Sequence, residues 1–410
     1  MRSVAIVYAL DVLAKSLLVV TGFLLVRLLD EAEYASFTLA TAIIAVATQA
    51  VSGSLNRIYI AGHREFAADQ PPGLFLGLQV WTVLVPLTAV WAVAGRSDAV
   101  NVWILLSVVA TCFLDFARTC FQQRLNFTRF AGVEAARATL LILFLALPYF
   151  VGMALQARHA LAAQSVSMLL VFLAAFGHEI DWRDVSRAGA ALRLASRIVR
   201  GEFAFLFAYF FLTAFWLQAE VFALKLLGRP IDVASFGAAT RYALVLTLAL
   251  NALTTVLFPL LQRIHTQEEI RDVYRRHRQM LLMFVPAATL AAVVAPQVLP
   301  LIDGGKYPEA VPTFQILCVV NVSLFVFAPY GILAMRFHDF GFLLGLAVVS
   351  ALLGVGLNIT LIPLNGSMGA AVALTIAHTV LSVATCIRAR RRLPIWLPSR
   401  HTSAPNDCQR

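Results

Sequence analysis

The chain has 410 residues, of which 60% are hydrophobic and only 13% carry a charge, and its mean hydropathy is +0.82. Because about a quarter of the residues of a soluble protein are charged, this composition excludes an ordinary soluble protein and predicts a polytopic membrane protein. The net charge of +10 does not indicate nucleic acid, since membrane proteins retain Lys and Arg in cytoplasmic loops and no basic block is interleaved with aromatic residues outside the apolar stretches.

Apolar stretches long enough to cross a membrane fill most of the chain, and about twelve of them meet the requirement of roughly 20 mainly apolar residues per spanning helix. In the first half the predicted spans are 4–26, 35–56, 74–94, 101–121, 131–151 and 158–178. In the second half they are 203–224, 234–260, 280–302, 311–333, 340–362 and 367–387. Arginines gather in alternate loops, and the positive-inside rule therefore predicts that both termini are cytoplasmic.

The longest interruption of this pattern is the segment 179–202, which contains five arginines. A basic stretch with a tryptophan is typical of a short helix that lies at the membrane surface, with its arginines toward anionic headgroups. The alternative is a solvated connector without a helix. Either interpretation divides the chain into an N-terminal lobe (1–178), a cytoplasmic hinge (179–202), a C-terminal lobe (203–390) and a disordered tail (391–410).

The two halves share a short sequence pattern. The stretch RLL at 27–29 is followed by ASF at 35–37, and KLL at 225–227 is followed by ASF at 234–236. Both occupy the turn between the first and second span of a half. An even number of spans per half gives the two repeats the same orientation, so we expect two lobes related by a pseudo-two-fold axis along the membrane normal, as in two-lobed transporters.

Charged residues inside predicted spans are functional candidates, because a charge in the hydrocarbon region is costly unless it is paired or faces water. Asp11 and Lys15 are four residues apart and share one helix face. They form either a self-neutralising pair or a site in which Lys15 contacts an anion. Glu220 and Arg241 lie on successive spans; they either pair with each other, or Arg241 binds a phosphate through its guanidinium fork.

Three carboxylates in the spans can carry a coupling proton, because burial favours the protonated form; they are Asp11, Asp115 and Glu220. The spacing of Asp115 with Arg118, and of Glu134 with Arg137, favours structural pairing near the inner interface. The cysteines have no CxxC spacing, and no histidine cluster or ATP-binding loop is present, so we expect no cofactor, no metal and no enzymatic activity.

Several stretches, taken in order over nearly the whole chain, resemble the polysaccharide transport family, the Wzx-type lipid-linked oligosaccharide flippases of the MOP superfamily. They are VRLL at 26–29 with EYA at 33–35, FP at 258–259, the charged segment 267–278, the stretch 299–307 with Ala310, and the run from Asn358 through Pro363 and Gly366 to Gly369-Ala370-Ala371. Each motif is loose, and the resemblance rests on their order. Glu220 departs from the family, which uses Asp there.

The resemblance implies an all-α, MOP/MATE-like bundle of two six-helix lobes around a cationic cavity. Its substrate would be a polyprenyl-pyrophosphate-linked oligosaccharide, flipped to the outer leaflet of the bacterial inner membrane by ion-coupled alternating access for synthesis of surface polysaccharide such as O-antigen. For the anionic headgroup we expect Lys15, Arg241 and Arg57. The implied partners are the lipid-linked glycan and membrane lipid, with a polysaccharide polymerase and glycosyltransferases as further candidates.

Other functions remain open at this point. A cation-coupled exporter of small amphiphilic molecules has the same fold, but it would favour acidic groups in the cleft over Lys15 and Arg241. A glycosyl polymerase or ligase would carry a sizeable outward loop, which the sequence lacks. A membrane component of a polysaccharide assembly complex that does not transport is also compatible with the sequence.

Overall fold

The computed structural model describes residues 2–61, 71–94, 99–124, 126–200, 204–262, 266–337 and 339–396. The α-helices are α1 Arg2–Leu28, α2 Glu31–Thr48, α3 Ser54–Ala61, α4 Pro72–Ala94, α5 Ala99–Gln123, α6 Phe127–Phe150, α7 Ala157–Ala175, α8 Trp182–Val185, α9 Ala188–Arg200, α10 Ala204–Trp216, α11 Ala219–Leu227, α12 Pro230–Gln262, α13 Gln267–Asp303, α14 Ala310–Arg336 and α15 Phe340–Trp396. A π-helical turn at Gln49–Gly53 joins α2 to α3, and a 3-10 turn at Gly177–Glu179 follows α7.

Within the described residues, eight helices are long and apolar enough to cross a membrane, or nine if the pair formed by α10 and α11, bent by 41°, counts as one span. Most apolar stretches predicted from the sequence coincide with one helix or, for the last two, with one part of α15. The predicted span 35–56 runs from α2 through the π-helical turn into α3, and the predicted span 203–224 falls on the bent pair α10 and α11. The prediction of an all-α, multi-pass membrane protein is confirmed.

The chain divides into two compact units. The first comprises Met1–Gly237 with Ile302–Lys306, and the second comprises Ala238–Leu301 with Tyr307–Arg410. This boundary lies after the predicted hinge at 179–202, and the division into lobes at that hinge remains a prediction. Helix α15 continues through Trp396, past the predicted start of the tail at 391, and residues 397–410 lie outside the described part of the chain.

In the first unit, α1 packs against α6, and α5 packs against α7 and α4. Short polar contacts fix where these helices begin. Asp30 caps α2 by accepting a hydrogen bond from the Glu33 backbone nitrogen at 2.8 Å. Glu33 in turn accepts one from the backbone nitrogen of Ala157, the first residue of α7, at 2.6 Å. A carboxylate therefore satisfies an amide at each of two helix N-termini, where negative charge is favourable.

The repeated sequence pattern marks two equivalent junctions, α1 to α2 and α11 to α12. The two stretches that follow these junctions also contact each other within the first unit. A Cβ atom on Gly237 would lie 2.3 Å from the Thr38 hydroxyl oxygen, so only glycine permits this approach of α12 to α2.

The predicted hinge folds as α8 and α9. Its entrance is fixed by Glu179, which forms ion pairs with Arg124 and, at 3.7 Å, with Arg129. The hydrogen bond from Arg124 to Glu179 raises the pKa of the Arg124 guanidinium above its ordinary value. The segment is thus held against the end of α5 and the start of α6.

In the second unit, α15 folds back on itself at Gly366, whose φ of 51° lies in the left-handed region. A Cβ on Gly369 would lie 2.2 Å from the carbonyl oxygen of Leu361. In a continuous helix these residues would be about 12 Å apart along the axis, so the contact shows that the two parts of α15 form a hairpin. The sequence GSMG at 366–369 supplies both the turn and the close approach.

Candidate functional site

Five charged side chains from three helices of the first unit come together, and two of these helices, α5 and α6, are long and apolar enough to span a membrane. Helix α1 supplies Lys15, α5 supplies Asp115 and Arg118, and α6 supplies Glu134 and Arg137. We refer to these five residues as the charged cluster. It joins helices that are far apart in sequence, which the spacing of charges along single helices could not reveal.

Glu134 is the centre of the charged cluster. One of its oxygens lies 3.2 Å from Arg118, and the other accepts a hydrogen bond from Arg137. Arg118 also lies 3.9 Å from Asp115. Both ion pairs expected within single helices are therefore present, and the contact from Arg118 to Glu134 adds a link from α5 to α6.

Lys15 completes the cluster through an electrostatic interaction with Glu134. Among the described side chains, the cluster holds three cations and two carboxylates, and the side chain of Asp11, one turn from Lys15, is outside the described part of the chain. Buried charges are costly unless they are compensated. The forked guanidinium groups of Arg118 and Arg137 match phosphate oxygens.

The charged cluster lies well inside the helices. With a rise of about 1.5 Å per residue, Glu134 is about 10 Å and Arg137 about 15 Å from the start of α6, and Asp115 is about 12 Å from the end of α5. The Asp115 side chain is 40% exposed, whereas that of Glu134 is 13% exposed. Asp115 is therefore the less enclosed carboxylate of the cluster.

The structure describes the side chains of two of the four remaining predicted site residues. The side chains of Asp11 and Arg57 lie outside the described part of the chain. Glu220 is only 1% exposed and lies in the first turn of α11, in the first unit. Arg241 is half-buried on α12 in the second unit.

A chain of uncharged polar side chains lies beside the π-helical turn of the first unit. Gln79 donates to Asn56 at 2.7 Å, and Asn56 donates to Ser52 at 3.0 Å. Ser52 and Gln79 are fully buried. Their side-chain hydrogen bonds link α4 to the segment that interrupts α2. The sequence analysis missed this chain, although three polar residues within apolar spans are a signal that could have found it.

An apolar cleft of about 390 Å³ lies between the C-terminal ends of α1 and α6. Leu24, Leu28, Ile142 and Leu145 are among the residues that line it, and Arg27 supplies its charged group. Because Lys15 precedes Leu24 by about 14 Å along α1, the cleft and the charged cluster lie on the same pair of helices. The volume is within the range of small-molecule sites, about 300–1,000 Å³.

No protein-family model matches the chain, and no curated protein matches it. Several solved structures match it. The lipid II flippase MurJ in an inward closed conformation has a TM-score of 0.69 at 12% identity, over 94% of this chain and 87% of that one. An inward-facing multidrug resistance MATE family transporter of the MOP superfamily has a TM-score of 0.64 at 16% identity, over 95% and 96% of the two chains.

A mutant of the Vibrio cholerae MATE transporter VcmN also matches, with a TM-score of 0.62 at 16% identity over 96% of this chain and 98% of that one. The chain has the MOP/MATE fold. Identities this low establish the shared fold alone, so the substrate must be inferred from the residues of this chain. The predicted fold class is confirmed by these matches.

Proposed function

We propose that this protein is a flippase that moves a polyprenyl-pyrophosphate-linked oligosaccharide from the inner to the outer leaflet of the bacterial inner membrane, for surface polysaccharide synthesis. Both termini would be cytoplasmic. A flippase and MATE transporters share its fold. The observation that carries the proposal is the charged cluster, because it gathers Lys15, Arg118 and Arg137 at one place among α1, α5 and α6.

The charged cluster fits the pyrophosphate of such a lipid. Arg118 and Arg137 each contact Glu134, and an incoming diphosphate would compete with that carboxylate for the two guanidinium groups. Lys15 would add a third cation from α1. We propose that the headgroup binds here, and Arg57 and Arg241 stay headgroup contacts proposed from the sequence alone.

The apolar cleft fits the lipid part of the substrate. It lies farther along α1 and α6 than the charged cluster does, and hydrocarbon side chains such as Leu24 and Leu145 line it. One amphiphilic lipid would therefore occupy two adjoining sites, with its anionic headgroup at the charged cluster and an isoprenoid segment in the cleft.

We propose that a proton is coupled to transport through a carboxylate that competes with the substrate for the guanidinium group of Arg118. Asp115 is the better exposed carboxylate of the charged cluster, and its contact with Arg118 is 3.9 Å long. Protonation from water would turn it into a neutral acid and leave Arg118 more available to phosphate. Asp11 and Glu220 remain proposed coupling residues as well, and the polymerase and glycosyltransferases remain proposed partners.

The test compares lipid-linked oligosaccharides in the two leaflets of cells with and without the protein. We expect polyprenyl-linked repeat units to accumulate on the cytoplasmic side when it is missing, and the trapped lipid would identify the glycan. The double variant Lys15→Gln with Arg118→Gln should reproduce that accumulation at a normal level of membrane insertion.

Arg388→Gln is the matched control, because Arg388 is also an ion-paired arginine of a spanning helix, 2.9 Å from Asp339, but lies in the second unit. It should transport normally. If the double variant transports as well as this control, the charged cluster does not bind the headgroup.

A second candidate function is a cation-coupled exporter of small amphiphilic molecules. The apolar cleft favours it, because a volume of about 390 Å³ suits a small amphiphile without a glycan. Cells without the protein would then retain such compounds, and their lipid-linked oligosaccharides would be distributed normally. The same leaflet comparison, made alongside uptake of a fluorescent cationic dye, separates the two functions.

A further inference from the structure

The segment that joins α7 to α10 is firmly docked on α4. A Cβ on Gly77 would lie 2.6 Å from the Val185 carbonyl oxygen, and one on Gly73 would lie 2.8 Å from that of Asp181. The Trp81 indole nitrogen donates to the Val185 carbonyl oxygen at 3.1 Å. Gly73, Gly77 and Trp81, spaced four residues apart, thus form one face of α4 against which the backbone of α8 packs closely.

Helix α9 continues this docking with one apolar face. Ala191, Leu194 and Ile198 are buried, and α9 packs against α4. Their spacing of three and four residues places them on one side of the helix. The orientation of α9 is therefore set by packing, and its opposite face is held outward.

The exposed surface of α8, α9 and the residues between them combines cations with large apolar side chains. Trp182 is 44% exposed and Leu192 is 68% exposed. The exposed cations of this surface are Arg183, Arg187, Arg193 and Arg197. Between residues 181 and 198, Asp184 pairs with Arg187 at 2.8 Å and Asp181 is the other acidic residue, so the positive charge exceeds the negative charge. We refer to Trp182, Leu192 and these four arginines as the basic face.

We propose that the basic face binds the anionic phospholipid headgroups of the membrane in which the protein sits. Exposed arginines beside Trp and Leu in a short amphipathic segment are typical of segments that lie in the headgroup region. The apolar side chains distinguish this surface from a purely solvated charged loop. The connection to α7 and α10 at either end keeps it at the bilayer surface.

This inference is independent of the transported substrate. Because α8 is seated on α4, a headgroup that holds the basic face also holds the end of α4 relative to the bilayer surface. The chemistry recognised is a phosphate monoanion carried by lipid, and the attraction weakens with salt because the arginines are exposed.

The experiment uses the purified full-length protein in vesicles of phosphatidylcholine, with or without phosphatidylglycerol. Brominated forms of each lipid quench nearby tryptophan, and the difference from a Trp182→Phe variant isolates the signal of Trp182. We expect brominated phosphatidylglycerol to quench Trp182 more strongly than brominated phosphatidylcholine does, and high salt to reduce that difference.

A charge-neutral variant tests whether the arginines are responsible. It replaces the arginines of the basic face: Arg183→Gln, Arg187→Gln, Arg193→Gln and Arg197→Gln. We expect the amount of phosphatidylglycerol retained through purification to fall by about tenfold, since each basic residue near an anionic surface adds a favourable contribution. The thermal midpoint in neutral detergent should fall only slightly, because the arginines are exposed and only Arg187 pairs with a buried carboxylate, that of Asp184.

The matched control removes the same number of exposed arginines from the start of α13: Arg271→Gln, Arg275→Gln, Arg276→Gln and Arg278→Gln. It should retain phosphatidylglycerol as the unmodified protein does. An equal loss in both variants would show only a general effect of net charge, and equal quenching of Trp182 by the two brominated lipids would show no selectivity. Either result overturns the proposal.

Discussion

Two helix junctions, one in each unit, are built by opposite means. In the first unit, Arg118, Arg137 and Lys15 meet Glu134 and Asp115 where α1, α5 and α6 converge. In the second unit, the hairpin of α15 is closed by backbone contact at Gly369. One junction depends on charge and the other on the absence of a side chain.

The difference bears on function. A hairpin closed by small residues is a stable solution for packing helices in a membrane, because it buries no charge. The charged cluster is a costly solution, since buried ion pairs barely repay their desolvation. A structure that needed only a junction could use the first solution, so the cost of the second favours a role in binding.

The largest loss of stability is expected for Glu134→Gln. Removal of this carboxylate takes away the ion-pair partner that Arg118 and Arg137 share, and loss of one partner of a buried ion pair costs about 3–5 kcal/mol. The thermal unfolding midpoint in detergent, measured beside the membrane level of the variant, reports the change.

Removing a cation together with Glu134 shows whether the loss of stability comes from unbalanced charge or from lost packing. The double variant Glu134→Gln with Arg137→Gln should recover part of the stability, because it removes an unpaired positive charge. A double variant that is less stable than Glu134→Gln would show that the two residues act through packing, and the contrast between the junctions would then fail.

Gly369→Ala tests the uncharged junction. Its Cβ would lie 2.2 Å from a backbone carbonyl, and overpacking of this kind costs about 1–3 kcal/mol. Gly356→Ala is the control on the same helix, because a Cβ there meets no atom within 4 Å; alanine should leave stability unchanged or raise it, by up to about 1 kcal/mol. Thermal midpoints of the two variants give the comparison, and similar values would refute the close-packed hairpin.

The sequence predicts these junctions unequally. Apolar length alone places the helices, since a span needs about 20 apolar residues, and the run from Asn358 to Gly369 points to the hairpin through its Pro and Gly content. The spacing of Asp115 with Arg118 and of Glu134 with Arg137 predicts two local pairs. That Lys15 joins them depends on the packing of α1 on α6, which no local pattern encodes. No local pattern shows either that Gly73 and Gly77 allow the backbone of α8 to pack closely against α4.

Asp115→Asn should have a small effect on stability and a larger one on transport. Its contact with Arg118 is 3.9 Å long and its side chain is 40% exposed, so we expect a loss of about 1 kcal/mol or less. If Asp115 exchanges the coupling proton, the variant should transport at a rate that no longer depends on pH over the range in which the unmodified protein responds. Transport assays at several pH values, with the thermal midpoint as a check on folding, decide the matter.

The smallest effect is expected where charge serves packing alone. Arg388 donates two hydrogen bonds to Asp339, at 2.9 and 3.3 Å, and its guanidinium lies 5.0 Å from the centroid of the Phe342 ring. One cation meets one carboxylate near the end of α15, so no charge is left over for a ligand. Arg388→Gln should cost about 0.5 kcal/mol, an effect that shrinks further at high salt because the pair is partly exposed. Transport should be unchanged, since an ion pair without net charge does not attract an anionic headgroup. If this variant impaired transport as strongly as changes in the charged cluster, the gathering of several cations would not be what distinguishes a binding site from a structural ion pair in this protein.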